Sequence, residues 1–144
     1  MSLIRGKDAL ILIPLYYKEK EVRGFKKIII LEEEKAKTMM EDPDKKKDVQ
    51  VLNTYWSLLS WAEQKEIVRS SAMTNPDGSK DTDWLRLRDH RIKFCLKKWD
   101  LKDDAGNELP LSGNIIDTLP ADVVFALSNE YDRITSSSTD DEKN

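Results

Sequence analysis

Cysteine and histidine are almost absent from this chain of 144 residues, which contains one of each, Cys95 and His90. A single cysteine excludes an intramolecular disulfide. The two residues are five positions apart, so on a helix they would lie on different faces, unlike the i, i+4 pair of a helical metal site. A buried thiol and a solvated or salt-linked imidazole are the favoured interpretations. We therefore predict no metal site and no cofactor.

Glycine is also scarce, with five residues, which leaves little backbone freedom for a loop that cradles phosphate. The chain has no G-x-S-x-G nucleophile elbow and no H-E-x-x-H pair. The acidic turn at residues 103–107 lacks the alternating oxygen ligands and the closing glutamate of an EF-hand, so a plain turn is favoured. Nothing near Asp81 and Asp83 predicts the burial that would turn one of them into a general acid. We predict no catalytic residue and no enzymatic activity.

Long hydrophobic runs are missing as well. The longest strongly apolar run, residues 9–15, is broken by Pro14 and is far too short to span a bilayer. The first residues lack the basic region, apolar stretch and cleavage site of a secretory signal, so we expect the protein to stay in the cytoplasm. The net charge is −3 and aspartates intersperse every basic cluster. We therefore predict that neither a membrane nor nucleic acid is a partner.

The N-terminal part of the chain is rich in β-favouring side chains. Residues 9–17 and 26–31 flank a charged turn, which predicts a β-hairpin with Pro14 either on an edge strand or at a break. The second run continues into good helix formers that end before Pro43, and this predicts a helix. A helix that begins as early as Ile28 is the alternative.

Helical spacings dominate from position 51 onward. One helical face runs through Leu52, Trp56, Leu59, Ala62, Ile67 and Val68. Ser60 and Glu63 match the S-x-x-E capping box, which predicts that one helix ends near Leu59 and another begins at Trp61.

Turn and cap signals organise the remainder of the chain. Residues 74–79 predict a loop, and Asp81 or Thr82 is then expected to cap a helix that continues through Trp99. After the acidic turn, Ser112 is a candidate N-cap for a short helix, and Pro120 opens another. The last helix carries a stripe typical of core packing, formed by Val123, Leu127, Tyr131 and Ile134.

These patterns predict a mainly α fold of the α+β class, a helical domain with a small N-terminal β-hairpin. One domain would cover residues 1–134, with the hairpin plus a helix at 1–48 and the helical part at 49–134. Residues 135–144 would form a flexible acidic tail, because so polar a segment cannot bury enough apolar surface to fold alone.

Four tryptophans, at positions 56, 61, 84 and 99, are the unusual feature of this composition. Trp56 and Trp61 are five apart and cannot share one helical face, and Trp84 diverges from its neighbour Leu85. We therefore hypothesise that Trp61 or Trp84 is exposed and binds a partner, with simple core packing as the favoured alternative.

Residues 51–134 resemble a group of small tailed-phage proteins usually taken for tail assembly chaperones. The matching segments are Leu59-Ser60-Trp61-x-Glu63-Gln64-x-Glu66-Ile67, Asp81-x-Asp83, Arg91-Ile92-Lys93, Lys98-Trp99-Asp100-Leu101 with Asp103-Asp104-x-Gly106, and Leu119-Pro120-Ala121-Asp122-Val123. They are helix caps and aromatic anchors and contain no catalytic signature.

The resemblance implies a protein of the host cytoplasm that binds the tape measure protein during tail assembly. The tail tube subunit is a second candidate partner. Such a helper would cover apolar helical faces by helix-in-groove contacts. The alternative is a small virion structural or connector protein of a phage head or tail, whose edge strand would augment a neighbour's sheet. Homo-oligomerisation is compatible with both interpretations.

Overall fold

A computed structural model describes residues 9–136 of the chain. Its strands are β1 (Leu10–Val22), β2 (Phe25–Leu31), β3 (Gln50–Ser57), β4 (Ala72–Thr74), β5 (Lys80–Thr82) and β6 (Leu96–Trp99). Its helices are α1 (Glu33–Met40), α2 (Pro43–Lys46), α3 (Trp61–Ser70), α4 (Trp84–Cys95), α5 (Gly113–Thr118) and α6 (Ala121–Thr135). The acidic segment of the predicted tail, residues 137–144, lies outside the described residues.

An antiparallel sheet in the order β2-β1-β3-β6 organises the fold, and β4 and β5 form a separate two-stranded hairpin. β1 pairs with β3 along its first half and with β2 along its second half. β6 adds to the other side of β3, with a register shift between Tyr55 and Trp56. The sheet therefore takes strands from both halves of the chain.

The predicted N-terminal hairpin is present and is longer than expected. Val22 pairs with Phe25, which leaves a two-residue turn in which Arg23 and Gly24 both have positive φ, 50° and 86°. This is the conformation of a type I′ turn, whose twist matches that of the strands it joins. Pro14 lies in the first half of β1, which pairs with β3 but not with β2. Its missing N–H donor therefore leaves no gap in the pairing with β2.

The prediction of a mainly α fold with only a small hairpin is wrong, first because the segment expected to begin a helix at position 51 is β3. Leu52, Thr54 and Trp56 are buried and alternate with more exposed neighbours. A spacing of four residues fits both one helical turn and two strand repeats, so Leu52 and Trp56 alone did not distinguish them. This segment pairs with the side of β1 that β2 does not use, and that pairing makes it a strand.

The helix expected to run through Trp99 is also partly wrong. Asp83 is its N-cap, and the Asp83 carboxylate accepts a hydrogen bond from the backbone N–H of Arg86 at 3.1 Å. The helix ends at Cys95, and the following residues form β6, with Leu96 and Trp99 buried. This segment pairs as a strand with the edge of β3 that β1 leaves free, because the pairing satisfies the backbone hydrogen-bonding groups of both strands.

The main core lies between one face of the sheet, the inner face, and the helices α4, α5 and α6. Its buried members are Ile13, Leu15, Leu52, Trp56, Ile92, Cys95, Leu96, Trp99, Ile116, Val123, Leu127 and Tyr131. The rings of Trp56 and Tyr131 are 4.9 Å apart between centroids. The core stripe predicted on α6 is therefore observed, except that Ile134 is exposed.

The predicted caps at Ser60 and Ser112 are present. Ser60 forms the full capping box with Glu63, and Ser112 accepts from the backbone of Ile115 at 3.2 Å. Among the helices of residues 9–136, none combines the length and the apolar character needed to cross a membrane.

Candidate functional site

The two tryptophans singled out from the sequence are the most exposed large hydrophobic side chains of the described chain. Trp61 is 74% exposed and Trp84 is 71% exposed, whereas Trp56 and Trp99 are buried. Each exposed tryptophan is the first residue of a helix, α3 for Trp61 and α4 for Trp84. Their role in binding a partner stays a prediction.

Hydrogen bonds fix the backbone on which each exposed tryptophan stands. In the capping box before Trp61, Ser60 Oγ accepts from the Glu63 N–H at 3.2 Å, and the Glu63 carboxylate accepts from the Ser60 N–H at 3.0 Å. Trp84 follows the Asp83 cap in the same way. A large side chain on a fixed backbone loses little conformational entropy when it binds, so both positions suit anchor residues.

Trp61 lines a groove of about 610 Å³ between the start of α3 and the end of α6, which we call the α3–α6 groove. Its other lining residues are Leu58, Leu59, Ser60, Gln64, Arg91, Tyr131, Asp132, Thr135 and Ser136. Arg91 bridges α4 to α6 through an ion pair with Asp132, with 2.8 Å between Nη1 and Oδ1. The Nε of Arg91 is buried and has no hydrogen-bond partner among the described residues.

Beneath this groove, Tyr131 and Cys95 form a buried pair. Tyr131 Oη donates to the Ser57 carbonyl oxygen at 2.9 Å and lies 3.5 Å from Cys95 Sγ. Burial is the main cause that raises the pKa of Tyr131, with the Cys95 contact second. Burial also raises the pKa of the Cys95 thiol. Both groups therefore stay protonated near neutral pH, and Cys95 lacks the thiolate character of a nucleophile.

A second groove, of about 680 Å³, lies between α4, α5 and α6, and we call it the α4–α6 groove. Its apolar lining consists of Leu85, Ile92, Ile116, Leu119, Ala121, Val124 and Phe125. Leu85, which follows Trp84 in α4, is 68% exposed, and Phe125 is exposed on α6. Trp84 lies between two residues that line this groove, Asp83 and Leu85.

The charged side chains around the α4–α6 groove are already paired. Lys93 Nζ lies 2.8 Å from Asp117 and 3.1 Å from Asp89, and its hydrogen bond to Asp117 is the main cause that raises the pKa of Lys93. Arg88 donates to Asn129 at 3.1 Å and lies over the Phe125 ring. An apolar floor inside a paired polar rim is the usual anatomy of a protein interface.

A serine–histidine contact that the sequence analysis missed joins α3 to α4. His90 Nδ1 lies 3.0 Å from Ser70 Oγ and 3.4 Å from Ser71 Oγ. Both hydroxyls donate to the Ile67 carbonyl oxygen, at 3.0 Å and 2.7 Å, so they are placed to accept from an Nδ1–H. In the Nδ1–H tautomer His90 donates to these hydroxyls and links the two helices, and a nitrogen that carries a proton is not a general base for them.

The acidic turn is also fully used by the backbone. Asp103 Oδ1 accepts from the N–H groups of Ala105 and Asn107, each at 2.9 Å, and Gly106 supplies the positive φ of 83°. Within residues 9–136 no group of three or more potential metal-ligating side chains comes together.

No protein-family model, no curated protein and no solved structure matches this chain. The geometry defines an α+β domain whose helical side carries the α3–α6 groove, lined in part by Trp61, and the α4–α6 groove, lined by both sequence neighbours of Trp84. The resemblance to phage tail assembly chaperones stays a prediction from the sequence motifs.

Proposed function

We propose that this protein is a non-catalytic binding protein of the host cytoplasm that acts as a phage tail assembly chaperone for the tape measure protein. The observation that carries the binding role is the pair of exposed tryptophans at the starts of α3 and α4. Trp61 lines the α3–α6 groove, and Trp84 lies between two residues, Asp83 and Leu85, that line the α4–α6 groove. The motifs that resemble tail assembly chaperones supply the more specific part, and they include Trp61 itself.

The α4–α6 groove has the apolar lining that an apolar helical face requires, whereas most side chains that line the α3–α6 groove are polar or charged. An α-helix with its side chains is about 10–12 Å across and presents anchors at i, i+3, i+4 and i+7. In the α4–α6 groove, Leu85 and Phe125 stand exposed on opposite helices, above a floor that includes Ile92 and Val124. Trp84 precedes Leu85 in α4, and tryptophan is among the residue types most enriched at interface hot spots.

A small virion structural or connector protein is the second candidate, and β2 is the observation that favours it. Among the described strands β2 pairs only with β1, so its outer side is a free sheet edge. Such an edge can accept a strand from a neighbouring subunit. The tail tube subunit, the second partner considered for a chaperone, could bind by the same route.

Co-expression with the tape measure protein tests the proposal, with affinity capture from the lysate and mass spectrometry of purified particles. We expect the tape measure protein in the captured complex and this chain absent from particles. Trp61→Ala or Trp84→Ala should weaken capture by about 30-fold, the effect of removing a hot-spot residue worth about 2 kcal/mol.

Met73→Ala is the matched control, because Met73 is exposed on the β4–β5 hairpin away from both grooves. It should leave capture unchanged. Stoichiometric presence of this chain in particles would support the structural alternative, and failure to capture the tape measure protein would contradict the chaperone proposal.

A further inference from the structure

The second face of the four-stranded sheet, which we call the outer face, points away from α4, α5 and α6. Residues opposite one another in an antiparallel pair point to the same side, so the register assigns each strand residue to a face. On the outer face, Leu12 lies opposite Tyr55, and Tyr55 lies opposite Lys98. Tyr16 lies between Leu31 and Val51 on the same side.

Charge is distributed very unevenly over this outer face. Its charged side chains are Lys18, Lys20, Lys27 and Lys98, and none of the described strand residues that point this way is aspartate or glutamate. None of these lysines forms an ion pair within residues 9–136. The whole chain has a net charge of −3, so this face is a basic surface on an acidic protein.

Two of these lysines oppose each other directly. Lys20 and Lys27 are partners in the register of the hairpin, and like charges at opposite positions destabilise a sheet. The next inward-facing pair along, Glu21 and Lys26, carries opposite charges. The hairpin therefore combines a favourable pair on one face with an unfavourable pair on the other, and a carboxylate from outside would relieve the second.

Apolar side chains lie beside the lysines. Leu12 is 51% exposed, and Leu10 and Val51 are also exposed. Lys98 Nζ stands 5.3 Å from the Tyr55 ring centroid, so that ring is already occupied by a cation. α1 packs against β1, and Leu31 and Ala36 are buried outside the main core. Glu33 of α1 is paired with Lys37 at 3.0 Å, and within the described residues no acidic side chain of α1 forms an ion pair with the outer lysines.

We propose that the outer face binds an acidic amphipathic segment of a partner protein. The apolar side chains of that segment contact Leu10, Leu12 and Val51, and its carboxylates pair with the lysines. Charge complementarity selects an acidic partner. Phe25, opposite Val22, is an exposed aromatic ring on this face. A single ring does not supply the succession of stacking platforms that single-stranded nucleic acid uses, so the exposed aliphatic side chains favour a protein. This surface is separate from the helical grooves, so the proposal is independent of the tape measure interaction.

Fluorescence anisotropy with the full chain tests this proposal. The probe is a labelled peptide of about 18 residues, five helical turns, built from leucine, alanine and glutamate with leucine at i, i+3, i+4 and i+7. A version with lysine in place of glutamate and an oligothymidylate serve as competing probes. We expect the acidic peptide alone to bind, and to bind at least about fivefold more weakly when the salt rises from ~50 to ~300 mM.

Lys20→Glu and Lys27→Glu are the informative variants, because each replaces a like-charge pair with an attractive one. Each should raise the melting temperature while weakening peptide binding about tenfold, so lost binding cannot reflect lost folding. Leu12→Ala should weaken binding as well. Lys80→Glu, on the exposed β5 strand, is the charge-matched control and should leave binding unchanged.

Binding of the oligothymidylate in place of the acidic peptide would overturn the proposal in favour of a nucleic-acid surface. Binding of neither probe would overturn it outright. An equal loss in Lys80→Glu would show that the attraction is a property of the whole charge and not of the outer face.

Discussion

Two pairs of tryptophans occupy opposite kinds of position in this molecule. Trp56 and Trp99 lie on adjacent strands, β3 and β6, and point into the core, whereas Trp61 and Trp84 each begin a helix and point into solvent. The residue type is the same in all four cases. What differs is whether a second layer of the fold covers the position.

Hydrogen bonding separates the two pairs as clearly as burial does. The indole N–H of Trp56 donates to Thr54 Oγ1 at 2.7 Å, and that of Trp99 donates to the Leu109 carbonyl oxygen at 2.8 Å. A buried donor needs such a partner, since leaving it unpaired costs stability. The structure thus satisfies the indole N–H of two tryptophans internally. The side chains of the other two are largely exposed, with Lys65 Nζ 5.7 Å from the Trp61 ring centroid.

Trp56→Ala should produce the largest effect. Trp56 has no exposed surface and packs against Tyr131, so its truncation should lower the free energy of unfolding by about 3–5 kcal/mol. That is a large part of the roughly 5–15 kcal/mol that stabilises a typical domain. Urea denaturation followed by circular dichroism measures the loss. An unchanged urea midpoint would contradict the assignment of Trp56 to the core.

Thr54→Val should have the next largest effect, because it removes a hydroxyl and keeps the shape. Thr54 Oγ1 accepts from Trp56 and donates to the Ile13 carbonyl oxygen at 2.6 Å. Its loss leaves a buried donor and a buried acceptor unpaired, which should cost about 1–3 kcal/mol. Thr54→Ser keeps the hydroxyl and is the control for the hydrogen bonds. Equal stability of the valine and wild-type proteins would show that these bonds are not stabilising.

Alkaline pH should lower the stability of the buried core that contains Tyr131 before it affects the exposed tryptophans. The pKa of Tyr131 is raised above its ordinary value near 10, chiefly by burial, so its neutral form is favoured in the folded state. That stabilisation is complete below about pH 10 and is lost as the pH rises toward the folded pKa, by up to about 1.4 kcal/mol per pH unit. Urea midpoints measured from pH 9 to 11.5 in wild type and Tyr131→Phe test this.

Tyr131→Phe should start lower at pH 9, because it loses the hydrogen bond to Ser57, but it should decline less steeply. Tyr17, whose pKa is also raised mainly by burial, titrates in both proteins and so cancels in the comparison. Cys95 contacts the Tyr131 hydroxyl, so both proteins are compared in a Cys95→Ala background, which removes the thiol. Parallel slopes for the two proteins would contradict the role of Tyr131.

The sequence predicted local features well and the sheet poorly. The hairpin, the Ser60 and Ser112 caps, the Asp103 turn and the core face of α6 depend on contacts within a few residues, and all are present. β3 and β6 depend on pairing across 33 or more positions of the chain, as between Tyr17 and Gln50 or between Trp56 and Leu96. Spacing within either segment could not reveal that partner.

The candidate site shows the same division. The sequence argument that Trp56 and Trp61 cannot share one helical face assumed a helix at both positions. Trp61 is exposed as expected, but Trp56 is in β3, so the premise of that argument is wrong. The two grooves arise from contacts such as Arg91–Asp132 and Lys93–Asp117, which join distant helices. The outer face became visible only after the register had placed Lys20 opposite Lys27.

Trp61→Ala and Trp84→Ala should have the smallest effect on stability. Each changes the free energy of unfolding by no more than about 0.5 kcal/mol, because the side chain is exposed and alanine is a good helix former. Trp61→Ala also removes the contact of Lys65 with the ring, at 5.7 Å, so its loss should be the larger of the two. A loss above about 2 kcal/mol for Trp84→Ala would mean that Trp84 packs within the domain, and it could then no longer be an anchor for a partner.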